Sequence, residues 1–232
     1  MKKKLVVLTG AGISAESGIM TFRDSGGLWE NHSIEEVATP EGWRKNPNLV
    51  LQFYNERRVK SAEAKPNAGH LALVALEKYF DVRIITQNVD GLHEKAGSTN
   101  VLHLHGELSK VRSVTNENLI YDIGAKYIEI GDLAEDGGQL RPHIVWFGEM
   151  VPMIEPAADL CLNADFFVVI GTSLQVYPAA GLIGYVSDDA PKYIIDPNMP
   201  EISNLNQNLT FISETASVGV PQLAQKLNSE FV

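Results

Sequence analysis

Leu5-Val-Val-Leu-Thr-Gly-Ala-Gly-Ile-Ser-Ala15 reads as a buried strand that turns on two glycines and enters a helix. Gly10 and Gly12 let the backbone turn tightly and approach a ligand closely, and free N–H groups at a helix start suit a pyrophosphate. The spacing Gly10-x-Gly12-x-x-Ala15 fits a relaxed dinucleotide fingerprint. Glycines placed at a first turn for steric reasons alone fit the same letters. Working outward, short apolar runs recur at Val82–Thr86, Val101–Leu104, Phe166–Ile170, Tyr193–Asp196 and Leu209–Ile212. Helical patterns lie at Asn67–Tyr79, Glu155–Leu162, Ala179–Val186 and Val220–Ser229. Near-continuous apolar strands alternating with helices predict an α/β fold around a doubly wound parallel sheet covered on both faces.

Two stretches break the alternation: Thr39–Ala64 is helical without a strand, and Glu107–Leu140 is mixed and polar. Both are expected to leave the sheet as a small inserted lobe, about 39–65 and 107–140. The large part then spans about 1–38, 66–106 and 141–232, within one catalytic domain of 1–232. A hydride-transfer enzyme would show a second strand ending in an acidic residue about 20 positions past the glycines. Here Ser17–Trp29 runs instead as a glycine-containing loop with an arginine and two aromatics, and it reads as a cover over the ligand.

The composition sets outer bounds. With 232 residues, 44% hydrophobic, the chain can bury a substantial core. A net charge of −10 withholds the positive field of a nucleic-acid binder. The run Leu5–Leu8 is too short for a signal peptide or membrane span, so a cytoplasmic protein without a membrane partner is expected. The single cysteine, Cys161, excludes an intramolecular disulfide and a cysteine-based zinc site, and reads as a small buried hydrophobe. The oligomeric state is left open.

Separated blocks then accumulate: Gly10–Gly18 running into Phe22-Arg23, Pro66–His70, Thr86–His93 with Ala96-Gly97, His105-Gly106, Arg141–Glu149, Gly171–Ser173 and Val176–Pro178. In this order, over most of the chain, they resemble the sirtuin family. The resemblance implies a Rossmann-like large domain and a small lobe, with NAD and an acylated protein lysine meeting between them. It implies transfer of the acyl group to ADP-ribose, giving nicotinamide, free lysine and O-acyl-ADP-ribose. On the same basis the NAD-binding residues are Gly10, Ala11, Gly12, Ile13, Ser14, Phe22, Arg23, Gln87, Asn88, Asp90, Gly171, Thr172 and Ser173, with Asn198 and Ala216 reaching ribose and adenine. Val145, Trp146, Phe147, Gly148 and Glu149 resemble the segment that pairs with the substrate backbone and packs on the lysine stem.

His105 follows a strand end beside the crevice, where α/β sheets place reactive groups, and an imidazole titrates near neutrality. A lone histidine is otherwise a structural residue, which is the reading given to His70, His93 and His103. By resemblance His105 is the general base for a ribose hydroxyl. Tyr54 and Arg57, three apart on a helical pattern, share a face and resemble the Tyr-x-x-Arg pair of sirtuins that remove succinyl or malonyl groups. A guanidinium binds a carboxylate bidentately and a phenol adds a hydrogen bond. One departure stands out. Most sirtuins carry four zinc-binding cysteines in the small lobe, where this chain has none and Ser113 stands about where the first would fall. No metal is expected, and the lobe is expected to be held by Leu119, Ile120, Tyr121, Tyr127, Ile128, Ile130 and Leu133 as a small sheet. The alternatives to a deacylase are a protein ADP-ribosyltransferase using the same pocket and a non-catalytic NAD or ADP-ribose sensor.

Overall fold

A computed structural model describes residues 2–20, 28–29, 32–200 and 208–231. Strand β1 (Lys4–Thr9) and helix α1 (Gly12–Ala15) are followed by a two-residue ladder of β2 (Leu28–Trp29) with β3 (His32–Ser33). Next come α2 (Ile34–Val37), α3 (Pro40–Lys45), α4 (Pro47–Glu63), α5 (Ala68–Leu76), β4 (Asp81–Thr86), α6 (Leu92–Ala96) and β5 (Val101–His103). Strands β6 (Gly106–Ser113), β7 (Ile120–Asp122) and β8 (Leu140–Ile144) precede α7 (Ile154–Leu162) and β9 (Phe166–Ile170). The chain closes with a 3₁₀ helix (Ala179–Tyr185), β10 (Lys192–Ile195), β11 (Leu209–Ile212) and α8 (Ala216–Phe231).

All six strands expected from the sequence lie in one parallel sheet, in the order β11-β10-β9-β1-β4-β5. Successive side chains of a strand point to opposite faces. Leu5 and Val7 therefore join Ile84, Phe166 and Val168 under α5 and α8. Val6 and Leu8 join Ile85, Phe167 and Val169 under α7 and the 3₁₀ helix. Both faces are covered, which is why the strands read as unbroken apolar runs. Two helical expectations shift. Ala179–Tyr185 winds as a 3₁₀ helix, since Gly181 and Gly184 weaken α-helical winding. Helix α8 starts a turn before Val220, because Glu16 reaches across from beyond α1 to accept hydrogen bonds from Ser217 N (2.9 Å) and Thr215 Oγ1 (3.1 Å).

The small lobe is a three-stranded antiparallel sheet, β7-β6-β8, against α4. Its apolar content is less than the sequence suggests. Ile128 is buried, but Ile120, Tyr127, Ile130 and Leu133 are 44–58% exposed. The core there is Leu51, Val111 and Ile128, packed by Trp43, Tyr121, Ile123 and Leu140. Polar bonds supply the rest. Buried Arg58 on α4 donates to Leu108 O (2.6 Å), Asn55 Oδ1 (2.6 Å) and Lys126 O (3.2 Å), and Asn55 pairs with both N and O of Ile128. Ser113 Oγ donates to the Asp136 carboxylate (2.9 Å) and accepts from Thr115 N (3.1 Å) and Asn116 N (3.4 Å). Thr115 Oγ1 and Gly138 N complete the grip on Asp136, and a side chain at Gly138 would collide with both hydroxyls. Ser113 itself is buried, whereas Val114–Asn118 of its turn are exposed, so removing its hydroxyl takes the side-chain acceptor from two amides that water can still reach. Ser113→Ala is expected to lower unfolding free energy by about 0.5–1.5 kcal/mol, read from urea denaturation as a lower midpoint at unchanged slope; an unchanged midpoint would show that this turn does not hold the lobe.

Candidate active site

Strand β1 sits in the middle of the sheet, with β4 on one side and β9 on the other. The chain winds outward in both directions from it, so the carboxyl ends of β1 and β9 flank a topological switch point, where open α/β sheets bind ligands. A cavity of about 530 Å³ opens there. The turns that follow the two strands touch through bare backbone. Gly10 N donates to Ile170 O (3.0 Å) and Gly12 N to Gly171 O (2.8 Å). A Cβ on Gly12 would stand 2.6 Å from Gly171 Cα, and one on Gly10 2.7 Å from Gly171 O. The glycines are thus required first by strand-to-strand packing. The expectation of free helix-start amides is corrected here. Helix α1 has four residues, and the N–H groups of Gly12, Ile13 and Ser14 bond to Gly171 O, Gly10 O and Ala11 O.

The loop after β4 is laced into this turn. Gln87 Nε2 donates to Thr172 Oγ1 (3.1 Å), bridging the ends of β4 and β9 across β1. Asn88 Nδ2 donates to Gly10 O (3.0 Å) and Ser14 Oγ (3.1 Å), and Ser14 Oγ donates to Asp90 Oδ2 (3.0 Å). Asp90 Oδ1 accepts from Leu92 N (3.0 Å) at the start of α6. Burial raises the Asp90 carboxyl pKa, against these bonds. Farther along α6, Lys95 Nζ donates to Ser61 O (2.7 Å), Ala62 O (2.8 Å) and Ala64 O (3.2 Å), capping the carboxyl end of α4.

His105 lines the same cavity. Its Nδ1 lies 3.0 Å from Gln87 O. A carbonyl only accepts, so Nδ1 carries the proton and Nε2 is the basic nitrogen of the neutral ring. Burial lowers the His105 pKa, partly countered by the Gln87 bond, so the ring is neutral at pH 7. The three histidines read as structural contact other protein groups. His70 and His93 are buried with rings 5.0 Å apart, and burial lowers them to about 4 and about 3. His103 faces the Asn88 carbonyl and Glu94.

On the far side of the cavity, α4 presents Tyr54, Arg57 and Lys60. Tyr54 is fully buried and Arg57 is 6% exposed, unlike the exposed arginine and half-buried tyrosine that such spacing usually gives. Tyr54 Oη accepts from Trp146 Nε1 (3.1 Å), and burial raises the phenol pKa. The Arg57 guanidinium stands 5.3 Å from the Phe53 ring. Within Val145–Glu149, Trp146 is core, tilted against Trp43 with the Arg141 guanidinium 3.3 Å over its ring. Glu149 is used in the turn. It accepts from Arg141 (2.7 and 3.2 Å) and Trp146 N (2.8 Å), bonds that lower its pKa despite burial. Phe147 is 46% exposed at the cavity rim, beside Val145 and Gly148.

Ser173, Asn198 and Ala216 also line the cavity, which extends from Ala216 past Gly10, Ala11, Gly12 and Ser14 to Asp90; Ile13, expected to bind the cofactor, is instead fully buried in the core under α5 and α8, where its apolar side chain packs. Phe22 and Arg23 lie outside the described residues. This span suits an elongated dinucleotide: glycine backbone at its centre, Asn198 and Ala216 at one end, buried Asn88 and Asp90 at the other. Sequence reasoning missed Lys60 and Asp196. Lys60 is three residues past Arg57, and the same helical spacing finds it. Asp196 follows β10 at the crevice, its Oδ1 accepting from Asn198 N (2.9 Å); an acidic strand end was sought only near the first helix.

The Sir2 family model matches residues 10–178, and the chain belongs to that family. An NAD-dependent protein deacylase of Helicobacter pylori is 55% identical over 225 residues, 97% of this chain and 95% of that protein. Among solved structures, a Sir2 homologue in complex with NAD has a TM-score of 0.86 at 38% identity, covering 98% of this chain and 90% of that one. A Sir2 with a deacetylated p53 peptide and 3′-O-acetyl ADP-ribose has a TM-score of 0.80 at 29% identity, covering 99% and 94%.

The Gly12–Gly171 contact gives a direct test. Gly12→Ala is expected to push the two turns apart at a cost of about 1–3 kcal/mol and to weaken NAD binding about tenfold, by isothermal calorimetry. An unchanged Kd would show that this contact does not shape the cofactor bed.

Proposed function

We propose that this NAD-dependent protein deacylase of the Sir2 family removes succinyl and malonyl as well as acetyl groups from protein lysines, with His105 as general base. The observation that carries the acyl preference is the placement of Arg57 and Tyr54: a buried guanidinium and a buried phenol wall the cavity that His105 also lines. A guanidinium on the cavity wall can grip an acyl chain ending in a carboxylate through two parallel charge-assisted hydrogen bonds. Tyr54 Oη, which accepts from Trp146 Nε1, stands on the same cavity wall as Arg57.

NAD supplies the ADP-ribosyl group that accepts the acyl group. Asn88 and Asp90 hold its nicotinamide end, Gly10, Ala11, Gly12, Ser14 and Gly171–Ser173 its middle, and Asn198 and Ala216 its adenosine end. His105 Nε2 takes the proton of a ribose hydroxyl, and the Gln87 carbonyl steadies the imidazolium that results through Nδ1–H. Phe147 and Val145 border the entry for an extended peptide, which adds backbone pairing to an edge and so tolerates varied sequence. The protein works in the cytoplasm, where its one cysteine, buried and unpaired, suits a reducing setting. Among the described residues no helix is long and apolar enough to cross a membrane.

Acetyl-, succinyl- and malonyl-lysine on one peptide backbone test this with wild type, His105→Ala and Arg57→Met. His105→Ala is expected to abolish turnover of all three. Arg57→Met is expected to raise KM for the acidic acyl groups by about 10- to 100-fold and to spare acetyl. Because burial lowers the His105 pKa in the free protein, wild-type kcat/KM should rise with pH through a midpoint below 6.5. Turnover confined to acetyl-lysine overturns the acyl preference, and turnover surviving in His105→Ala overturns the base.

A further inference from the structure

Two histidines, two residues apart where β5 leads into β6, use the same ring atom for neighbouring carbonyls. His105 Nδ1 lies 3.0 Å from Gln87 O, and His103 Nδ1 lies 3.1 Å from Asn88 O. They differ at the other nitrogen. His105 lines the cavity, whereas His103 Nε2 lies 2.8 Å from Glu94 Oε1 on α6. Neither a carbonyl nor a carboxylate can donate, so both ring nitrogens of His103 carry protons and the ring is an imidazolium. Its side chain is only 9% exposed, which strengthens the pairing with Glu94.

We propose that His103 and Glu94 are a positioning pair that fixes the Gln87–Asp90 loop in its cofactor-binding shape by holding the Asn88 carbonyl, without touching any reacting atom. The Asn88 carboxamide points the other way, to Gly10 O and Ser14 Oγ. Its backbone N–H goes to Thr86 Oγ1 (3.0 Å). His103 thus takes the remaining main-chain polar group of the residue and sets the peptide plane between Asn88 and Val89. Glu94 supports the same loop twice, since α6, which carries it, begins where Asp90 caps Leu92.

The charged and titratable groups around His103 are Glu94 and buried His93 from α6, Asp90 from the loop and Glu107 from β6. Burial alone would lower the His103 pKa; the Glu94 bond and the surrounding carboxylates reverse this and raise it. A raised pKa means that the pair is complete below the usual imidazole range and is lost as pH rises through the elevated value. The two histidines then govern opposite limbs of the pH profile: His105 must shed its proton on the acid side, and His103 must keep its own on the alkaline side.

The proposal rests on the Gln87–Asp90 loop binding the nicotinamide end of NAD and is independent of the acyl preference. The experiment measures NAD affinity by calorimetry, and KM for NAD and for an acetyl-lysine peptide, from pH 6 to 10, for wild type, Glu94→Gln and His103→Gln. Glu94→Gln keeps an acceptor but removes the charge, so the alkaline limb of NAD affinity should move down by about one pH unit or more. His103→Gln, whose amide can still donate, should erase that limb. In both, KM for NAD should rise about tenfold at pH 8 while KM for the peptide holds. Melting temperatures that fall without any change in the alkaline limb or in KM for NAD would make the pair merely structural and overturn the proposal. So would two variants indistinguishable from wild type. Failure of the acyl preference shows instead in wild type, as acetyl-only turnover, and leaves these readouts unaltered.

Discussion

The backbone of Gly12 lies against that of Gly171, with no room between them for a methyl group. These turns are nearly 160 residues apart in sequence, yet they follow adjacent strands of one sheet. Without side chains at this point, β1 and β9 can pair to their last residues and still release their chains to opposite sides. The crevice is the space left by that divergence. Everything that enters it from elsewhere is measured from this contact: the Asn88 carboxamide is held by Gly10, the Gln87 side chain by Thr172, and the His105 ring by the Gln87 carbonyl. The hydrogen bonds around the cofactor bed form one connected lattice anchored on main-chain atoms.

The parts of this arrangement that were legible in the sequence are those in which one force dominates. Strands buried on both faces must be largely apolar, as β1, β9 and β10 are, and the half-buried edge strands β5 and β11 still carry short apolar runs. His105 and the glycine blocks were legible through their order along the chain. Position alone misled where several weak forces compete. The glycine turn reads as a ring of amides awaiting an anion, but the amides of Gly12, Ile13 and Ser14 are consumed by local carbonyls. Ile120, Tyr127, Ile130 and Leu133 read as a lobe core, yet they face outward. A three-residue strand such as β7 has too few alternations to reveal which face is inside. The groups that do the holding there, Asn55, Arg58, Ser113 and Asp136, are polar and reach partners up to 73 residues away, a relation no local pattern displays. Asp196 was read as the end of a strand, and only the sheet order shows that this strand ends at the crevice.

The lobe is tied by polar side chains as well as by apolar packing. A carboxylate gathers two hydroxyls and an amide around Asp136. A buried arginine ties the opposite edge by donating to main-chain carbonyls. Each such bond is individually modest, and the assembly depends on all of them being satisfied together.

The three carbonyls capped by Lys95 have a consequence for how the enzyme's two binding surfaces can change. Helix α4 carries Tyr54, Arg57 and Lys60, while Lys95 belongs to the short helix that continues from the Gln87–Asp90 loop. An ammonium seated on the last turn of a helix acts as an end stop: sliding α4 along its axis in either direction breaks contacts of 2.7, 2.8 and 3.2 Å. The distance between the wall formed by Tyr54, Arg57 and Lys60 and the Gln87–Asp90 loop is therefore gauged by one ammonium. A change in the width of the cavity there falls to side chains exchanged on a helix that stays where it is.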